Sequence, residues 1–128
     1  MTLSLVYGVL AVTLGSDWIR VLRKMKPIVV LTTLPATHDA ASFSQKLVKA
    51  KLAACVNVLP GVESHYEWQG ELVTDTEKVL FIKTRADKLT QLKEFFDDVH
   101  PYEVPELVVL PILAEDVPYV HWLNQVLG

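Results

Sequence analysis

Sulfur, glycine and net basic charge are all scarce in this chain, and each scarcity narrows what it can be. Cys55 is the single cysteine, so no internal disulfide can form and no CxxC metal knuckle exists. That usage fits a reducing compartment, and a cytoplasmic location is expected. Five glycines and seven prolines in 128 residues are too few for a collagenous or low-complexity chain. Twelve Lys and Arg face fifteen Asp and Glu, for a formal net charge of −3 at pH 7. The two signs are interspersed, so no basic stripe is available to neutralise a phosphate backbone, and nucleic-acid binding is not expected. The sequence also lacks a GxSxG elbow, a phosphate-cradling glycine loop and an HExxH pair, the local signatures of the commonest hydrolytic and phosphoryl-transfer sites.

What is present is a hydrophobic fraction of 51%, enough for one packed core. Residues 1–24 stand apart: Met1 to Leu14 is apolar, and the chain then turns polar and basic towards Lys26. The apolar run is shorter than the roughly 20 residues that cross a bilayer, and it lacks a basic n-region and a small-residue cleavage site. It reads as an extension of uncertain role ahead of a domain spanning 25–128. A weak export or membrane-anchor signal is the alternative, and no other membrane association is expected.

From Pro27 the pattern is βαββαβ. Ile28 to Thr33 is a β-branched run that suits a buried strand. Thr37 or Asp39 can cap a helix whose inward positions are Ala40, Phe43, Leu47 and Ala50, running up to Leu52. Ala54 to Trp68 and Glu71 to Arg85 are two long arms hinged at Gln69-Gly70, with Pro60-Gly61 supplying a bend in the first. Asp87 opens a second helix with the stripe Leu89, Leu92, Phe95, Phe96 and Val99, stopped by His100-Pro101. A last strand spans about Glu106 to Leu113, and Glu115-Asp116 begins a short helix bearing Val117, Val120, Leu123 and Leu127. Right-handed crossovers fold this order into an α+β, ferredoxin-like antiparallel sheet with two helices on one face.

The hairpin is too long for its domain. At about 3.3 Å per residue each arm extends roughly 50 Å, against a radius of gyration of about 13 Å for a domain of this size. Tyr66 and Trp68 near its tip are amphipathic rings that favour interfaces. An apolar sheet edge also invites pairing with another chain. Closed symmetric assembly resolves both.

Four stretches carry a resemblance: Lys51-Leu52-Ala53-Ala54-Cys55-Val56-Asn57, Tyr66-Glu67-Trp68-Gln69-Gly70, Ile82-Lys83-Thr84, and His100-Pro101-Tyr102-Glu103-Val104-Pro105-Glu106. In this order and spacing, over about Ile28 to Leu127, the chain resembles the CutA divalent-cation tolerance family. The resemblance implies a ferredoxin-like fold, a homotrimer built through the hairpin with Tyr66 and Trp68 at its interface, and a role in the response to metal ions. Some bacterial members are associated with copper through a cysteine ending strand one and two histidines opening the HPY motif. Here Thr32 and Val99 take two of those three places, and a threonine hydroxyl does not replace a soft thiolate. His100 is left as the one candidate metal ligand, with Glu103 or a neighbouring subunit as its partner, and copper is the implied ion.

The loop from His100 to Glu106 is stiffened by two prolines. It places His100, Tyr102, Glu103 and Glu106 where a ligand cleft between subunits is expected, with Lys83 as a basic partner for the carboxylates. The alternative for the same residues is purely structural, with Tyr102 packed in the interface. Elsewhere, Cys55 reads as a small buried hydrophobe. His65 and Glu67 share a strand face and form either a ligand pair or a solvated surface. His38 and His121 lie near helix ends and carry little functional weight. The reading is a non-enzymatic homotrimer binding a metal ion or small ligand at subunit clefts. A small acid–base enzyme using His100 and Glu103, or a trimeric scaffold, are the readings from other classes.

Overall fold

The computed structural model describes residues 2–6, 9–13, 24–114 and 116–128. In the N-terminal extension, β1 (Thr2–Val6) and β2 (Val9–Thr13) pair antiparallel as a two-stranded sheet of their own. The domain then runs β3 (Pro27–Pro35), α1 (Ala40–Lys49), β4 (Cys55–Trp68), β5 (Glu71–Arg85), α2 (Leu89–Val99), β6 (Val108–Pro111) and α3 (Pro118–Leu127). Its four strands form one antiparallel sheet in the order β4-β5-β3-β6. The βαββαβ order with a terminal helix is as expected, and so are the two edge strands, β4 and β6.

Strand alternation builds the core. On β3 the residues Ile28, Val30, Thr32 and Leu34 are buried, and they stand opposite Thr84, Ile82, Leu80 and Lys78 of β5. Phe43 and Leu47 of α1 and Leu92 and Phe96 of α2 close over that face in a single cluster, so both helices lie on one side of the sheet. On the other side α3 covers one end, where Leu123 and Leu127 pack with Ala54. Arg85, 3% exposed, ties that end together. Its Nε and Nη2 donate to the Asp87 carboxylate at 2.6 and 2.9 Å, and Nη2 also donates to the Gly128 carbonyl at 3.0 Å.

Several boundaries differ from the sequence reading, each for a local reason. Asp39 caps α1, its Oδ1 accepting from the Ser42 N–H at 3.0 Å. The helix stops at Lys49 rather than Leu52, because Lys51 adopts φ 60°. The Lys51 N–H then reaches the Val48 carbonyl and the Leu52 N–H the Leu47 carbonyl, a Schellman ending that turns Leu52 into the core and leaves Ala50 outside. Asp87 does not cap α2. A short 3₁₀ turn, Ala86–Lys88, opens that helix while the Asp87 carboxylate is engaged by Arg85. At the far end of α2, Val99 is left out of the core. The last strand is shorter than expected, and α3 begins at Pro118, where a proline at the first helical position has no N–H to lose. Glu115 lies outside the described residues, and exposed Asp116 bonds His121 Nε2 at 3.0 Å. Cys55 is half-buried rather than fully packed, its Sγ 3.7 Å from Asn57 Oδ1.

The hairpin arms are 14 and 15 residues long. The register between them slips from Leu59 to Val62, and Gly61 there has φ 72°, a bulge that bends the ribbon at Pro60-Gly61. At the tip Gln69 and Gly70 both have positive φ, 51° and 81°, as a two-residue I′ turn requires.

Candidate cleft at the hairpin and the 100–106 loop

Where α2 ends, the backbone of His100 turns extended, and its ring folds back against the sheet. The Tyr102 N–H donates to His100 Nδ1 at 3.2 Å. Because a backbone N–H can only donate, Nδ1 carries the lone pair and Nε2 the proton, which goes to Thr32 Oγ1 at 3.0 Å. The ring packs against Phe43, Phe96 and Tyr102, with centroids 5.8, 5.2 and 5.4 Å away. Burial holds the His100 pKa below its usual value, with nearby His38 adding to the effect; a backbone hydrogen bond at Thr33 and the charge of Glu77 oppose it only in part.

This arrangement bears on His100 as the candidate metal ligand. Both ring nitrogens are engaged, so a metal ion would have to displace the Tyr102 N–H, and general base work would meet the same obstacle. Glu103 makes no bond to His100. Among the described residues, no group of three or more His, Cys, Asp and Glu side chains is arranged to hold a metal ion. The described residues of one chain therefore do not fit a strong metal centre. Of the two readings of His65, the solvated face is the one seen: the side chain is exposed and bonds Thr74 Oγ1 at 3.0 Å and Glu63 Oε1 at 2.6 Å, not Glu67.

The rest of the predicted site does converge. Tyr66 and Trp68 of the hairpin and Tyr102, Glu103 and Glu106 of the loop line one open cleft of about 540 Å³. Lys83 is absent from it. That side chain points to α3 instead, with Nζ 5.5 Å from the Tyr119 ring centroid, so it is not the basic partner of these carboxylates. The residue that sequence reasoning missed is Glu77, 6% exposed. It lies on β5 opposite Pro35 of β3 and Val62 of β4. Its chain neighbours Thr76 and Lys78 are exposed and half-buried, so no local pattern marked it as buried. Tyr102 Oη donates to Glu77 Oε2 at 2.5 Å, which fixes the loop to the sheet.

The electrostatics of the cleft are acidic throughout. Burial, and then the bond to Glu77, push the Tyr102 hydroxyl well above its ordinary pKa, so it stays a neutral donor. Burial and the neighbouring Glu77 raise the Glu106 carboxyl. Tyr66 Oη is hydrogen-bonded to Asp75, and that bond raises the Tyr66 pKa as well. Among the described residues no lysine or arginine lines the cleft.

The family model described as CutA1 divalent ion tolerance protein matches residues 28–126. A divalent-cation tolerance protein CutA of Thermus thermophilus is 45% identical over 100 residues, covering 78% of this chain and 97% of that protein. A Protein CutA homolog of Xenopus laevis is 47% identical over 94 residues, covering 73% of this chain but 62% of its own length. A solved structure of the Thermus thermophilus divalent cation tolerance protein superimposes with a TM-score of 0.75 at 44% identity, over 80% of this chain and 99% of that one.

Proposed function

The chain belongs to the CutA1 divalent ion tolerance family, and on that premise we propose that it acts as a cytoplasmic homotrimer on a ferredoxin-like scaffold, binding a small ligand or ion in clefts between subunits and contributing to the response to metal ions. The observation that carries this reading is the hairpin tip. Tyr66 and Trp68 are 39% and 42% exposed in the isolated chain, yet they form one wall of the cleft whose other wall is the 100–106 loop. Val108, Val109 and Leu110 on the β6 edge are exposed as well. A partner hairpin laid along that edge would satisfy its open backbone groups. The sheet order β4-β5-β3-β6 supports the ferredoxin-like reading.

A catalytic role finds no support in His100, whose two nitrogens are both engaged. The test is multi-angle light scattering across a dilution series, followed by calorimetry with divalent ions and small metabolites. A trimer that stays intact at micromolar concentration and one saturable site per subunit are expected. A monomer would remove the assembly from this reading, and the absence of any saturable ligand would remove the cleft.

A further inference from the structure

The cleft joins two features that are hard to reconcile with a bare metal ion. One is a set of aromatic side chains, from Tyr66, Trp68 and Tyr102; the other is a set of carboxyl groups, from Glu77, Glu103 and Glu106. A hard divalent ion needs six or more oxygens converging on one point, and no such group of ligands exists among the described residues. Aromatic faces give a metal ion no coordination of that kind. They are what an organic cation needs, because the ring quadrupole attracts a diffuse positive charge at about 6 Å without requiring it to shed a tight hydration shell.

Glu77 strengthens the argument independently of the rings. Its side chain is more than nine-tenths buried, and the hydrogen bond from Tyr102 takes one of its oxygens. A buried carboxyl of this kind is normally matched by a cation, yet among the described residues no lysine or arginine lines the space it faces, and His65, the basic side chain in the lining, bonds Glu63 and Thr74 instead. Glu106 lies close enough for Glu77 to hinder its ionisation, so an incoming positive charge relieves repulsion between the two. The rim carboxyls also concentrate cations of any kind at the mouth.

From this geometry we infer that the cleft between the hairpin and the 100–106 loop is a site for an organic ammonium group, held against Tyr66, Trp68 and Tyr102 and charge-matched by Glu77 and Glu106. This rests on the ligand-cleft reading above and names the chemical class of its ligand. The volume of about 540 Å³ admits an alkylammonium with a short apolar tail, which the tip rings would cover.

The experiment is calorimetry on the full chain with n-butylammonium and tetramethylammonium chloride at fixed ionic strength, with potassium chloride and n-butanol as the matched charged and neutral controls. Saturable binding of at least one ammonium probe is expected, with neither control binding. Glu77→Gln keeps an acceptor for Tyr102 and removes the charge; it should weaken binding at least tenfold while light scattering shows an unchanged oligomer. Should Glu77→Gln fail to fold, the exposed Glu106→Gln variant serves, with a loss of about threefold expected from one removed rim charge. No saturable binding of either ammonium, or equal affinity in the foldable variant, overturns the inference. Binding of copper(II) alone with the same dependence on Glu77 also overturns it, while leaving the broader ligand-cleft reading intact.

Discussion

Strand β5 is two different surfaces joined end to end. At its root Leu80 and Ile82 are completely buried, closed over by α1 and α2. At its tip Leu72, the same residue type on the same strand, is 84% exposed. The difference comes from what each half has to pack against, since backbone pairing with β4 continues through both. The root owes its order to helices of its own chain. The tip has a ladder but no helix over it, and a two-stranded ribbon that leaves Tyr66, Trp68 and Leu72 exposed gains stability from whatever covers them. The fold rests on one end of this element and the proposed assembly on the other, so the two can be perturbed separately.

The largest separation is expected from Leu80→Ala. A fully buried leucine cut to alanine costs about 2–5 kcal/mol, a large part of the 5–15 kcal/mol that holds a typical domain. Urea denaturation should show a midpoint far below that of the parent, in both dilute and concentrated protein. If the shift disappears at high protein concentration, the root depends on assembly as much as the tip does, and the comparison collapses.

Next in size is the Tyr66→Ala, Trp68→Ala double variant. In the proposed trimer these rings lie at the interface, where truncating a hot-spot aromatic costs upwards of about 2 kcal/mol, and threefold symmetry would repeat the loss at three equivalent contacts. Light scattering across dilution should show the variant dissociating where the parent stays trimeric, while far-ultraviolet circular dichroism of the dissociated chain retains the parent's secondary structure. An equally tight trimer would mean the tip rings serve only the cleft.

The two ends were not equally legible in the sequence. The root could be read directly, because period-two burial on β3 and β5 and the three-to-four spacing of Phe43 and Leu47, and of Leu92 and Phe96, each need only one local rule. Pro60-Gly61 and Gln69-Gly70 announced the bulge and the turn for the same reason. The losses came where a side chain was used by a distant one. Asp87 looked like a helix cap and is held by Arg85. Lys51, a residue with no turn propensity to flag it, took a left-handed conformation and ended α1 early. The cleft was half legible: the stiff 100–106 loop marked one wall, but the pairing of Tyr102 with Glu77 spans 25 positions, and no local pattern encodes it. Lys83 was drawn into the site by charge alone, when alternation and the position of α3 take it elsewhere.

A smaller effect sharpens the comparison at the joint between root and cleft, where His100 links Thr32 of the core to the loop. Its folded pKa lies below the ordinary 6.5 because burial disfavours the imidazolium. The unfolded chain therefore binds more protons than the folded one between those two values. The stability this neutral ring contributes is complete above about pH 6.5 and is lost as pH falls through that value towards the lowered one. Glu106 works in the opposite sense in a lower window: its folded pKa is raised above 4.5, so its cost to the fold is present at neutral pH and relieved as pH falls through the raised value. Denaturation midpoints from pH 8 to pH 5 should decline for the parent and decline less for His100→Gln. Parallel curves would show that the ring is not what couples the loop to the core.

The smallest effect is expected from deleting residues 1–24. That segment contains the other hairpin of the molecule, β1 and β2, whose register closes only on itself, from Thr2 opposite Thr13 to Val6 opposite Val9. Neither strand joins the four-stranded sheet, so it has a ladder with no root at all. A two-stranded ribbon alone is marginal in water, and the sheet order β4-β5-β3-β6 is complete without it. The truncated chain should match the parent within about 0.5 kcal/mol, the range of changes made away from packed or bonded features, and should keep the same number of subunits and the same ammonium affinity. A larger drop in the denaturation midpoint would show that the short hairpin covers apolar surface on the domain, and the long hairpin's tip would then be the first place to look for the contact.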